Sequence, residues 1–425
     1  MGAKVYLPQV FRSFQGFQVL DIKEWSHEKR MEIHLEHDPS SQPLCSRCGW
    51  DLGTYHDRYR MRVKHMRIMD WKTEIHFWKH RHFCPNCRKN RAEKIEWICP
   101  SEPHVTMELA WWINRLTEIS TVRQVSRLES IDKKTCYRID KDILVRLLQG
   151  YKIPEVTAIS VDEVYARSPE QMKEGEDRND LFLTVVADLK THKVIWVSES
   201  RNKEALDHFF KLIGPTACKK IQMVACDQHK DYAKSVKEHC PESTLVWDHF
   251  HLVQRFNEAL NDDRMDEYKK LDKSSEAKEL IRSKYKTKFL TKADRRDDED
   301  KMHIHEAGEK NYKIYMLELI KECFHTVFEA ETKDIAVKRM RKAIRWAKDA
   351  EAKWTLKLLI SYYRSKTFWN YFKYKISSGL SEGLNRAIKT LKWVAYGYKD
   401  MFYFSLKILQ RHGYLNSLYH LKKFS

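Results

Sequence analysis

No stretch of the sequence offers the ~18 uninterrupted apolar residues of a membrane-spanning helix, and Met1 to Gln15 lacks the apolar segment of a secretory signal. The start Met-Gly-Ala-Lys-Val-Tyr has tyrosine where a myristoylation signal has Ser or Thr. No internal repeat is evident. These absences lead to the expectation of a soluble cytoplasmic protein with no membrane partner. Cysteine is sparse and uneven, ten in 425 residues with two close pairs near the N-terminus, which excludes a disulfide framework and favours metal binding. Acid is in the minority. With 60 Asp+Glu against 78 Lys+Arg, the formal charge of +18 favours a polyanionic partner through counterion release, and nucleic acid comes first.

What is present is enough for two or three folded domains, since 42% of the residues are hydrophobic. Residues 1–100 are rich in Cys, His and Arg, with short alternating runs such as Thr73-Glu-Ile-His-Phe-Trp78 that suggest strands. Residues 101–150 change to helical spacing, with Leu109, Ile113 and Leu116, then Val122, Val125 and Leu128, then Ile139, Ile143 and Leu147. After Gly150 and Pro154 come β-branched runs at Val156–Val161, Leu181–Val186, Lys193–Val197, Ile221–Ala225 and Thr244–Trp247, with a helical stretch before the fourth. That order predicts an α/β layer fold with a mixed sheet. From Arg255 to Lys375 the strand signal gives way to helical sequence, and the densely charged part from Asn261 to Asp300 reads as a solvated helical face or a mobile loop.

Cys45-Ser-Arg-Cys48-Gly49 and Cys84-Pro-Asn-Cys87 are two C-x-x-C knuckles. Two thiolates in each tight turn can approach one Zn²⁺, and two pairs complete a tetrahedron. Four ordinary free cysteines are the alternative, and His80 or His82 lies close enough in sequence to replace one ligand. Further on, Thr121–Leu128, a short turn and Lys133–Ile139 have the spacing of a helix-turn-helix. Val122, Val125, Ile131 and Ile139 would form its core, and Lys133, Lys134, Tyr137 and Arg138 would face a major groove. The turn lacks the common glycine, and plain helix packing gives the same spacing.

Asp162 closes the run Ala158-Ile-Ser-Val-Asp162-Glu163 and Asp227 closes Met223-Val-Ala-Cys-Asp227. Two acids delivered by strand ends of one sheet can converge on divalent cations, for which hard oxygen ligands are suited; turn capping explains any single one equally well. A third acid, Glu382, shares a helix face with Asn385, Arg386 and Lys389, placing a carboxylate beside phosphate-binding cations. Two metals ~3.5–4 Å apart can activate an attacking hydroxyl and stabilise the departing oxygen at phosphorus.

The two knuckles, the helix-turn-helix, Ser160-Val-Asp162-Glu163, Cys226-Asp227, and above all Ser381-Glu382-Gly-Leu-Asn385-Arg-Ala-Ile-Lys389 followed by Ala395-Tyr-Gly397 resemble the ISL3 family of bacterial insertion-sequence transposases, of the DDE type. The resemblance covers nearly the whole chain. It implies a ribonuclease-H-like catalytic domain with the triad Asp162, Asp227 and Glu382 holding two Mg²⁺ or Mn²⁺ ions, and an all-helical insertion between the second and third acids. Related transposases with such an insertion carry an acid or cysteine, two residues and a histidine after the second Asp, and Asp248-His-Phe-His251 matches. These two residues would support the active site or contact DNA. Glu163 remains an alternative to Asp162 as the metal-binding acid.

The architecture expected is therefore a zinc-binding module (1–100), a helix-turn-helix domain (101–150), and an α/β ribonuclease-H-like domain (151–254 and 376–425) interrupted by a helical insertion (255–375). Asn385, Arg386 and Lys389 would join the helix-turn-helix residues in binding DNA. The partners implied are the element's terminal inverted repeats and target DNA, handled by a homodimer or larger nucleoid-associated assembly. A noncatalytic DNA-binding regulator and a structure-specific nuclease are the rival readings.

Overall fold

The computed structural model describes residues 14–172, 174–374 and 379–415, with the side chains of the last stretch described from Gly383 onward. It divides into two compact units, one formed by Met1–Lys152 with Val394–Ser425 and the other by Ile153–Trp393. Among the described residues no helix is long and apolar enough to cross a membrane.

The first unit opens with β1 (Phe17–Trp25), β2 (Arg30–His37), β3 (Tyr55–Ile68), β4 (Trp71–Cys84) and β5 (Lys89–Ala92), in the order β1-β2-β4-β3 with β5 beside β4. Period-two alternation sorts the two faces. Ile33, Leu35, Met61, Val63, Ile75 and Phe77 point into a core closed by Phe14, Trp97 and Ile98, while Arg58, Arg60, Arg62 and Trp78 are exposed.

Three helices follow: α1 (Met107–Ile119), α2 (Val122–Glu129) and α3 (Lys133–Gln149). Their starts are written in the sequence. Thr106 caps α1, Thr121 and Gln124 form a reciprocal capping box on α2, and Asp132 accepts from the backbone N–H groups of Lys134 and Thr135 at the head of α3. The turn between α2 and α3 has no glycine, and Ser130 takes the left-handed conformation instead, at φ 54°. Burial of Val125, Ile131, Cys136 and Ile139 closes the helical pair.

The second unit begins with β6 (Ala158–Tyr165), β7 (Phe182–Asp188) and β8 (Lys193–Glu199), an antiparallel meander. Next come α4 (Lys203–Lys220), which breaks at Gly214-Pro215, then β9 (Met223–Cys226), α5 (Lys230–His239) and β10 (Thr244–Trp247). The sheet order is β10-β9-β6-β7-β8, with β6, β9 and β10 mutually parallel. The sheet is thus mixed, as its strand pattern implied, and helices link its parallel strands.

A helical block runs from α6 (His249–Lys270) through α7 (Glu276–Leu280), α8 (Lys286–Leu290), α9 (Asp298–Lys310), α10 (Tyr312–Phe328), α11 (Lys333–Asp349), α12 (Lys353–Arg364) and α13 (Lys366–Trp369) to α14 (Tyr371–Tyr374). Phe256, Phe324, Tyr362, Phe368 and Trp369 sit in its core. The charged stretch 261–300 is not simply a solvated face or loop. Asp263 and Arg264 are each 1% exposed; Asp263 caps α12 through the N–H groups of Trp354 and Thr355, and Arg264 donates to the carbonyls of Ile281 and Arg282.

Helix α15 (Gly379–Val394) returns to the second unit, and α16 (Met401–His412) belongs to the first. The grouping of 376–425 as one part of a catalytic domain is therefore divided at Val394. A buried polar network binds α16 to α1 and α3. Asp140 accepts from Asn114 Nδ2 at 2.7 Å, Thr117 Oγ1 at 2.6 Å, Tyr403 Oη at 2.5 Å and Lys407 Nζ at 3.1 Å.

Candidate active site

The parallel ladder brings three acids side by side. Val161 of β6 lies opposite Cys226 of β9, and Cys226 lies opposite Trp247 of β10, so the next residues along the three strands are Asp162, Asp227 and Asp248. Asp162 sits within β6 rather than at its end, because β6 continues against β7 as far as Tyr165. It nonetheless lies where the pairing with β9 stops, which is the opening that a strand-end acid needs.

Each acid is held by short-range hydrogen bonds that follow from its position. Asp227 accepts from the backbone N–H of His229 at 2.8 Å, just before α5. Asp248 is the N-cap of α6 and accepts from Phe250 N–H at 2.8 Å. Asp162 Oδ1 accepts from Glu163 N–H at 2.7 Å, and His251 Nε2 lies 3.4 Å from the same oxygen. Ligand atoms of Asp162, Asp248 and His251 all lie within 4.8 Å of one another.

The field here is strongly negative. Burial alone would lower the His251 pKa, but its hydrogen bond to Asp162 and the charges of Asp162, Asp248 and Asp227 outweigh that and raise it. Glu163 is also raised, first by burial and then by Asp227, against the opposing pull of Arg201, which pairs with its Oε2 at 3.0 Å. Among the described residues Glu163 Oε1 is buried without a hydrogen-bond partner. Crowded carboxylates with an unsatisfied oxygen among them fit a hard divalent cation, whose charge would relieve the repulsion. Glu163 thus faces Asp227 and Arg201, while Asp162 faces His251.

The side chain of Glu382 lies outside the described residues; its backbone is in the first turn of α15. One turn further on, Asn385 Nδ2 donates to Asp162 Oδ2 at 2.7 Å. This residue was expected to contact DNA; instead it fixes Asp162 to α15, a contact that helical spacing alone could not distinguish from an outward one. Arg386 and Lys389 are exposed.

In the first unit, Cys45, Cys48, Cys84 and Cys87 gather with their sulfur atoms within 4.8 Å of one another. Cys45 Sγ is 4.0 Å from Cys87 Sγ, and Cys48 Sγ is 3.6 Å from Cys84 Sγ. These bracket the ~3.8 Å edge of a tetrahedron with Zn–S bonds of ~2.3 Å. The Trp50 backbone N–H and the Asn86 side chain pull the Cys48 thiol down to about 6, and hydrogen bonding to Cys48 pushes Cys87 up to about 12. Neither nearby histidine is needed as a ligand: His82 Nδ1 lies 3.1 Å from the Gly53 carbonyl, and the His80 ring stacks on His37.

Of the four helix-turn-helix residues expected to face DNA, Lys133, Lys134 and Arg138 are exposed, although Arg138 pairs with Glu102. Tyr137 turns inward. Its hydroxyl donates to Asp400 at 2.5 Å and its ring packs edge-on against Tyr403 of α16.

A family model described as a transposase, of the DDE and ISL3 type, matches residues 159–408, more than half of the chain. The chain belongs to the ISL3 family of transposases. That match spans all three acids, the helical block and α15. Among curated proteins, the transposase for insertion sequence element IS1001 of Bordetella parapertussis is 25% identical over 401 residues, which cover 93% of this chain and 95% of that one. The transposase for insertion sequence element IS1557 of Mycobacterium tuberculosis is 32% identical over 87 residues, 20% of each chain. In this ISL3 transposase, the features that sequence reasoning missed are Asn385 as the partner of Asp162 and Arg201 as the partner of Glu163. Asn385 lay in the Glu-Gly-Leu-Asn run already singled out; Arg201 carried no local signal.

Proposed function

We propose that this transposase binds the terminal inverted repeats of its insertion sequence and performs metal-dependent DNA cleavage and strand transfer with Asp162, Asp227 and Glu382. The observation that carries the reading is the side-by-side placement of Asp162, Asp227 and Asp248 on three adjacent parallel strands, in a family whose activity is transposition. The 3-2-1-4-5 spatial order of the five strands supports a ribonuclease-H-like catalytic domain, with the helical block as its insertion.

Divalent ions bound at the carboxylates, Mg²⁺ or Mn²⁺, would supply activation of the attacking oxygen and charge stabilisation of the departing one. Asp162 and Asp227 would hold them, with Glu382 completing the set from α15. Asn385 and the Glu163 N–H fix the orientation of the Asp162 carboxylate. His251, within reach of the Asp162 carboxylate, would support it together with Asp248. Arg386 and Lys389, exposed on α15, would contact the phosphates that flank the scissile bond.

In the first unit, the four thiols would hold a structural Zn²⁺, and α3 would present Lys133, Lys134 and Arg138 to the groove of the repeat. Two ends must be processed together, so the acting form is a homodimer or larger assembly on DNA. A transposition assay in cells tests the triad. Glu382→Gln should abolish movement of a marked element while leaving protein level unchanged; full activity in that variant would remove Glu382 from the mechanism.

A further inference from the structure

We propose that the outer face of the β3–β4 hairpin is a phosphate-binding track for duplex DNA that continues the surface begun by the N-terminus of α3. The proposal rests on the reading that the first unit binds DNA, and it assigns a surface that the helix-turn-helix does not include.

Four observations carry it. Arg58, Arg60 and Arg62 alternate along β3, each exposed, on the face opposite the buried Met61 and Val63. Among the described residues no acidic side chain pairs with Arg58 or Arg60, and Arg62 meets only Glu74, at 3.7 Å with its own side chain 67% exposed. A merely solubilising surface has its charges interleaved with acids; this row is nearly unopposed. The guanidinium groups are also held in place. Arg58 lies over the exposed Trp78 ring at 4.7 Å from its centroid, and Arg60 approaches His76 Nδ1 at 3.4 Å. Restricting an arginine before it meets a phosphate lowers the entropy lost on binding.

Finally, the row leads into the helices. Lys64, two residues beyond Arg62 on the same face, donates to the carbonyl of Ser130, the left-handed residue of the α2–α3 turn, and Arg67 donates to that of Leu128. Lys133, at the start of α3, follows three residues after Ser130. From Arg58 to Lys64 the strand covers roughly 20 Å at ~3.4 Å per residue. That is about six base pairs of duplex at 3.4 Å each, an extension of the footprint rather than a second site.

The test is binding of a labelled duplex carrying the element's end, titrated across salt, for the full chain and for Arg58→Ala/Arg60→Ala/Arg62→Ala. Each lost phosphate contact should reduce the slope of log K against log salt by about 0.9, so a fall of roughly 2–3 is expected. Footprinting should lose about four base pairs from one side, the roughly 14 Å from Arg58 to Arg62. The loss should be equal on an unrelated duplex, since phosphates carry no sequence. The variant with lysine at all three positions should retain most of the slope.

An unchanged slope and footprint in the alanine variant, with metal content and helical signal as in the parent protein, overturns the track. An equal loss in the lysine variant also overturns it, because charge would not be the cause. Failure of the parent protein itself to bind the end would bring down the DNA-binding reading as well, which separates the two failures.

Discussion

Lys407→Met should loosen the whole first unit, although the residue lies near the C-terminus and far in sequence from the helices it serves. Its side chain is 3% exposed, with the fully buried carboxylate of Asp140 at 3.1 Å and the carbonyl of Thr117 at 2.8 Å from its ammonium nitrogen. Burial pulls the lysine pKa down, and the neighbouring Asp140 opposes that. Methionine matches its length but strands Asp140 as a buried charge with only neutral donors. Breaking a buried pair from one side costs about 3–5 kcal/mol, and at 1.4 kcal/mol per decade that is a roughly 100- to 4,000-fold rise in the opening equilibrium. Hydrogen exchange read by mass spectrometry on α1, α3 and α16 measures it segment by segment. The α9–α12 segments of the second unit should exchange as before. Adding Asp140→Asn should recover part of the loss, since no unpaired charge remains. A change below tenfold in the single variant would refute the reasoning.

Three further outcomes follow from the structure. Asn385→Ala should slow DNA cleavage by ten-fold or more with little change in end binding, whereas Arg386→Ala/Lys389→Ala should weaken binding first; equal binding losses in both would return Asn385 to a DNA-contacting role. Burial holds the half-buried His65 at about 4, well below its ordinary 6.5. The unfolded state therefore binds the extra proton, and stability of the first unit falls as pH drops from about 6.5 to about 4, by at most about 3 kcal/mol. His65→Gln should flatten that part of the denaturation profile. Cys84→Ser should lower bound zinc and destabilise the knuckles while sparing the second unit's fold; unchanged zinc content by elemental analysis would count against the four-thiol site.

The elements that the sequence made legible are those set by local pattern. The C-x-x-C pairs announce a ligand cluster because the spacing itself forms the turns, and the thiols do gather. The β-branched runs foretold the strands of the mixed sheet, and helical spacing foretold the helices between residues 107 and 149. What was hidden depends on packing between segments distant in sequence. Nothing local to Tyr137 tells that Asp400 will receive its hydroxyl. Helical periodicity put Asn385, Arg386 and Lys389 on one face but could not say which would turn towards the sheet. Asp263 and Arg264 stood in a charged run, and only the assembled block buries them as a cap and a carbonyl clamp.

The central claim is that Asp162 and Asp227 drive metal-dependent DNA chemistry, and strand transfer in solution tests it most directly. Purified protein would be incubated with labelled DNA carrying the element's ends and a second DNA, in Mg²⁺ or Mn²⁺, beside Asp227→Asn. The account predicts cleavage at the ends and joining to the second DNA, both lost in the variant while end binding persists. Tight binding by the parent protein with no DNA breakage in either metal would contradict it and leave a DNA-binding regulator.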